Sequence, residues 1–356
     1  MINLNLKGAI KSIVAVMLLS TLIQAEEMPK GWPWKAIDTG STTIYKDPKV
    51  LDFIVQQGIK YVRVHIFIKN TMRQKKVSAQ EALELNLKWT KDIYDRLAKD
   101  GVQTFLTISD YPVDLVTCTR KGRADYWEDS RCTNQIKSFS KQTIDYFKNT
   151  DLLGYQFFGE PVVRRGNKWT TPVEWTEIFK ELISYRDSVD ASKYLIYSHG
   201  PWNFPVKYND MKPFDANNII YSAHMYLPHS YTHQRISRSN RTAYNYPGKV
   251  NGRVWDKTDL VQTLQPFKNF ENKYGKPMMI AEFGNAIWSL DSEVYIKDLL
   301  DIFTSNKWAW SYYNISGEYY KGWDARFSAT INPNGSKKYT YIGETSERFK
   351  LLKKYY

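Results

Sequence analysis

The chain has 356 residues, a formal net charge of +13 and an aromatic content of 15%. That length is long for one average domain but suits a single α/β barrel, and no internal repeat, low-complexity tract or Gly/Ser- or Pro-rich linker divides it. The basic residues are scattered, "RQKK" at 73–76 being among the densest runs, and no zinc-finger or RNA-binding signature accompanies them, which argues against a nucleic-acid partner.

Residues 1–25 have the pattern of a secretory signal. Lys7 and Lys11 precede an apolar stretch from Ile13 to Ile23 that is too short to span a bilayer, and Ile23-Gln24-Ala25 offers a cleavage point before Glu26. The expectation is a secreted or periplasmic protein with no membrane contact after cleavage, residues 26–356 forming one domain.

Short β-rich runs then alternate with longer amphipathic ones. An opening strand lies near Trp34 to Asp38, followed by "IKYVRVHIFI" as a second. A helix over 78–101 begins at a capping serine and ends at a glycine. "VQTFLTIS" is a strand, and a polar loop between Cys118 and Cys132 leads to a helix over 133–149. In an exported chain such an even cysteine pair implies a disulfide. "LLGYQFF" is a strand, 171–188 a helix, and "YLIYS" and "NNIIYSAHMY" are strands. A helix over 257–275, the strand "PMMIAEF", a helix over 291–305, the strand "WAWSYYNI" and a helix over 344–356 complete the chain. Eight strands in strand–helix alternation predict a parallel sheet closed as a single (β/α)8 barrel. An open doubly wound sheet is the alternative, but no Gly-rich phosphate turn supports it.

In such a barrel the active site lies at the carboxyl ends of the strands. Two of the predicted strands deliver a glutamate there: Glu160 in "QFFGEPVV" after the fourth and Glu282 in "MMIAEFG" on the seventh. An ionised carboxylate beside a core is costly unless it is paired or used. Two carboxyl groups about 5 Å apart suit double displacement at a glycosidic bond, one acting as acid and the other as nucleophile, whereas a wider gap suits inversion. Aromatic residues in the expected loops ("GWPW", "NKW", "GPWNF", "GEYYKGW") are suited to stacking on sugar faces.

With these residues in that order, the chain resembles glycoside hydrolase family 5, the cellulase-type retaining β-glycosidases, over essentially all of residues 26–356. The resemblance implies roles. Glu160, followed by Pro161, matches the acid/base, and Glu282 in "EFG" the nucleophile. Arg63 matches a strand-two arginine that holds the nucleophile ionised. Tyr226 would donate to Glu282, and His224 would orient sugar hydroxyls or Glu160. Trp310 matches a strand-eight tryptophan that floors the sugar site. The apolar neighbours of Glu160 are expected to raise its pKa toward the acid role.

Asp110 stands where the family more often has histidine, either to bind sugar hydroxyls or to start a loop, and His65 either lines the site or packs. Gly159 replaces the asparagine that usually precedes the acid/base and holds the sugar 2-hydroxyl. The implied substrate is a β-linked polysaccharide or oligosaccharide, β-glucan by default, with mannan or an anionic exopolysaccharide as alternatives. No cofactor is implied. His224, His229 and His233 lack an Asp or Glu at ligand spacing, so no metal is expected. A barrel that binds carbohydrate without cleaving it is the second reading, kept open by Gly159.

Overall fold

The computed structural model describes residues 27–112, 125–236, 242–315, 321–332 and 335–356; the side chains of 110, 125 and 126 are outside that description. Both the expected signal segment and Cys118 fall outside the described residues. Among the described residues, no helix is long and apolar enough to cross a membrane.

Eight parallel strands close into one barrel: β1 (Lys35–Gly40), β2 (Tyr61–Phe67), β3 (Gln103–Asp110), β4 (Gly154–Phe157), β5 (Tyr194–Ser198), β6 (Ile219–Met225), β7 (Met278–Phe283) and β8 (Ala309–Tyr312). Each strand pairs with its neighbours in sequence, and β1 closes the ring against β8 through Lys35–Trp310 and Ile37–Tyr312. The helices on the outside are α1 (Lys49–Gln56), α2 (Ala79–Ala98), α3 (Ser130–Phe147), α4 (Val173–Asp190), α5 (Lys257–Tyr274), α6 (Ser292–Ser305) and α7 (Glu347–Lys353). The serine predicted to open α2 does so: Ser78 and Glu81 form a reciprocal capping box that satisfies two otherwise orphan N–H groups. Alternation is not strict, because β5 is followed by only a 3-10 turn, Pro205–Asp210, and a short helix, Ile68–Lys75, precedes α2.

The interior and the helix layer form separate cores. Trp34, Ala36, Phe105, Ile196, Ile220, Met279, Ala281 and Ala309 fill the barrel, while residues such as Ile37, Val62, Leu106 and Trp310 belong to the larger outer core. This is the period-two alternation of strands seen from both faces. Toward the carboxyl ends the inward positions turn polar, with Asp38, Arg63, His65, Gln156, Ser222, His224 and Ser311 all buried. A polar layer therefore sits on an apolar plug, and the plug holds it at the barrel mouth.

Candidate active site

Glu282 reaches the site through a break in register. The inward positions of β7 are Met279 and Ala281, so strict alternation would send the next side chain outward. The β6–β7 pairing shifts between Ile280 and Glu282, and this irregularity re-aims the carboxylate into the mouth. There Oε1 accepts from Arg63 Nη1 at 2.9 Å and Oε2 from the Tyr226 hydroxyl at 3.1 Å. The side chain is 13% exposed. Burial would raise the Glu282 pKa, but His224, Arg63 and His65 more than reverse this and hold it at about 2. Burial and the charge of Glu282 push the Tyr226 phenol well up, so it stays a donor.

Glu160 lies just beyond β4, after Phe158, whose φ of 64° turns the chain. Phe158 is thereby carried into the aromatic cluster of Tyr111, Trp127 and Trp175, away from the carboxylate. Phe158 therefore gives Glu160 no apolar cover, and among the described residues its side chain is 46% exposed. His224 Nδ1 lies 3.0 Å from Glu160 Oε1 and 3.7 Å from Glu282 Oε2, bridging the two acids. Single oxygens of Glu160 and Glu282 and a ring nitrogen of His224 all lie within 4.8 Å of one another.

Beneath Glu282 is a network that the sequence reading missed in part. Arg63 Nη1 also donates to Asp38 Oδ2 at 2.8 Å and to the Ala281 carbonyl at 3.1 Å, and Nη2 donates to Gln156 Oε1 at 2.6 Å. His65 Nε2 lies 2.9 Å from Asp38 Oδ2, and its Nδ1 lies 2.8 Å from Ser109 Oγ. Burial would lower the Arg63 pKa, but Asp38 and Glu282 raise it, so the guanidinium remains charged. The only local hint of Asp38 was an acid ending the opening strand. Gln156, which links Arg63 to Ser198 and Ser222, was a lone polar residue in an apolar run. Asp38, His65 and Glu282 also cluster as cation ligands could, but Arg63 already supplies positive charge to both acids within 2.9 Å.

A cleft of about 610 Å³ opens over these residues, lined by Glu160, Tyr226 and Glu282 and walled by Trp202, Phe204, His229, His233, Tyr313 and Trp323. Gly284, the glycine of "EFG", is required for that wall. A Cβ there would stand 2.8 Å from the Tyr313 carbonyl oxygen and 3.1 Å from the Trp323 ring.

The sequence profile of the cellulases (glycosyl hydrolase family 5) matches residues 24–319. The chain belongs to glycosyl hydrolase family 5. It is 25% identical over 176 residues to Endoglucanase C of Acetivibrio thermocellus, a match covering 41% of this chain and 51% of that protein. The chain thus spans about half the length of the named relatives it matches. Among solved structures, a hyperthermophilic endo-β-1,4-glucanase with bound substrate superposes with a TM-score of 0.66 at 18% identity, covering 90% of this chain and 96% of that one. Cel5A of Thermotoga maritima with cellobiose gives 0.65 at 16% identity over 89% and 96% of the two chains. These structural likenesses concern the fold.

One expectation drawn from the family changes. Trp310 does not floor the cleft. On β8 Ala309 and Ser311 point inward, Ser311 donating to Asp38, so Trp310 faces the helix layer, 0% exposed, against Phe283 and Tyr356. The same parity brings Tyr313 to the cleft instead. From β3 it is Ser109 that contacts His65, and the Asp110 side chain, expected to bind sugar hydroxyls or to start a loop, lies outside the described residues.

At Gly159 an added Cβ would meet nothing nearer than His224 Cε1 at 3.7 Å, Arg63 Nη2 at 3.9 Å and Glu282 Oε1 at 4.0 Å. A side chain missing there leaves room directly beside the two acids. His224 Nε2 is buried and has no hydrogen-bond partner among the described residues.

Trp202 and Trp310 therefore predict opposite phenotypes. Trp202→Ala should lower kcat/KM on a polymeric substrate by roughly 10- to 100-fold with little change in Tm, by loss of a stacking face. Trp310→Ala should cost about 3–5 kcal/mol of stability through a core cavity. Melting curves and kinetics on both variants check this, and the reverse pattern would return the platform to Trp310.

Proposed function

We propose that the protein is a retaining β-glycosidase acting on a β-linked glucan, with Glu282 as nucleophile and Glu160 as acid/base. The observation that carries this reading is that one oxygen of Glu160 lies within 4.8 Å of one oxygen of Glu282, a closeness that supports direct attack by Glu282 over the wider gap an inverting enzyme leaves for water. In the first step a Glu282 oxygen bonds to the anomeric carbon while the glycosidic C–O bond breaks, and the Glu160 proton passes to the departing oxygen. In the second, Glu160 takes a proton from water, the water oxygen bonds to the anomeric carbon, and the bond to Glu282 breaks. Arg63 and Tyr226 keep Glu282 ionised and aimed for the first step, and His224 holds Glu160 over it. Neither step calls for a metal or an organic cofactor.

The glucan assignment is supported by relatives named as endoglucanases and by a neighbour solved with cellobiose. The T. maritima enzyme was also solved with mannotriose, so a manno-configured chain is the next candidate. A panel of β-linked polysaccharides, read by product size and by NMR of the first anomer released, tests the proposal. β-Configured initial product from a glucan is the expected result. An α-configured initial product would overturn the retaining mechanism. Tight binding without any hydrolysis would favour the carbohydrate-binding reading that Gly159 keeps open.

Export and a Cys118–Cys132 disulfide belong to the same reading. Cys132 is buried in the first turn of α3. The bridge would close a short loop beside the third strand and contribute about 3 kcal/mol on chain-entropy reasoning. Mass spectrometry of the non-reduced exported protein should find residues 1–25 removed, one disulfide and no alkylatable thiol; two reactive thiols in the native protein would exclude the bridge.

A further inference from the structure

We propose that Asp38 is a positioning residue that sets the basicity of Glu282 by competing for Arg63, an inference that rests on the reading of Glu282 as nucleophile. Arg63 Nη1 is shared: it donates to Asp38 Oδ2 at 2.8 Å and to Glu282 Oε1 at 2.9 Å. Nη1 carries two N–H groups and faces four neighbours, Asp38, Glu282, the Ala281 carbonyl and His65 Nε2, so what Asp38 draws from it lessens the share left to Glu282. Asp38 is 0% exposed, so water does not screen this competition.

The rest of the network fixes Asp38 in that role. Its Oδ1 accepts from Ser311, and its Oδ2 faces His65 Nε2 at 2.9 Å. His65 is in turn fixed by Ser109 and lies 3.9 Å from Glu282 Oε1. The charged and titratable groups around Glu282 are thus Arg63 and His65 from β2, Asp38 from β1, Glu160 after β4, and His224 and Tyr226 from and just after β6. His224, Arg63 and His65 hold the carboxylate at about 2 against its burial, and Tyr226 donates a hydrogen bond to it. Asp38 opposes them without touching the substrate cleft.

The consequence is chemical. A carboxylate held too firmly is a poor nucleophile in the first step and a good leaving group in the second. Asp38 returns basicity to Glu282, favouring formation of the glycosyl–enzyme bond at some cost to its breakdown. A residue that only supported the fold would, when altered, displace Glu282 and slow both steps together.

The test uses the full-length protein and the 2,4-dinitrophenyl 2-deoxy-2-fluoro-β-bioside of the sugar that the wild type hydrolyses. Inactivation then reports glycosylation, and recovery of activity after removal of excess reagent reports breakdown. Asp38→Asn keeps the shape and an oxygen acceptor for Arg63 but removes the charge. Inactivation should slow by about three- to tenfold while recovery accelerates. Ser311→Ala, which leaves Asp38 drawing harder on Arg63, should move the ratio of the two rates the opposite way, and it covers the case in which Asp38→Asn folds poorly. Parallel slowing of both steps in Asp38→Asn, or an unchanged ratio in both variants, would overturn the positioning role. A wild type that hydrolyses glycan but acquires no label on Glu282 would instead overturn the nucleophile assignment on which it depends.

Discussion

Glu282→Gln is expected to abolish turnover on every substrate, by about 10⁵-fold or more, because no glycosyl–enzyme bond can form and no second group stands in its place. Glutamine preserves the volume and can still meet Tyr226, so the fold should survive. The variant also carries a stability signature with a definite sign. The folded-state pKa of Glu282 is lowered from 4.5 to about 2, so its ionised form contributes stability that is fully present above about 4.5. That contribution is lost as the pH falls through the window toward 2. Glu282→Gln should therefore flatten the acid side of the stability curve across that window, measured by denaturant unfolding at a series of pH values. Near-normal activity in this variant would reject the assigned nucleophile.

Glu160→Ala should separate substrates by leaving group. Without a proton donor, a glycan or any alkoxide-type leaving group should react about 10³- to 10⁴-fold more slowly. An aryl glycoside whose leaving group departs unprotonated should keep a fast first step and then stall, since nothing activates water for the second. The exposure of Glu160, at 46%, leaves space for a small anion once the side chain is removed. Azide should restore product release, and the product should be a β-glycosyl azide. Uniform loss across all leaving groups, with no azide rescue, would show that Glu160 does something other than proton transfer.

The two acids were both legible in the sequence. Both stand out as carboxylates at the ends of apolar runs, and their neighbours Pro161 and Phe283-Gly284 carried the family resemblance. Gly284 has a visible physical cause in the close approach of Trp323. Arg63, His224 and Tyr226 were placed by the same resemblance, Arg63 on β2, His224 on β6 and Tyr226 just after it. Trp310 was misplaced by one step of the strand period, since the sequence marks a tryptophan at the end of a strand but not which face it joins.

The sequence by itself determined the order of strands and helices, the closed parallel barrel and the two acids. These follow from local periodicity, capping and the cost of placing charge beside apolar runs, all of which act over a few residues. Only the tertiary structure decided which side chains enter the mouth. The register shift on β7 turns Glu282 inward, the parity of β8 sends Trp310 outward and Tyr313 inward, and Asp38 meets Arg63 across the β1–β2 pairing. Strand facing depends on register against distant partners, and a shift of one residue exchanges the two faces.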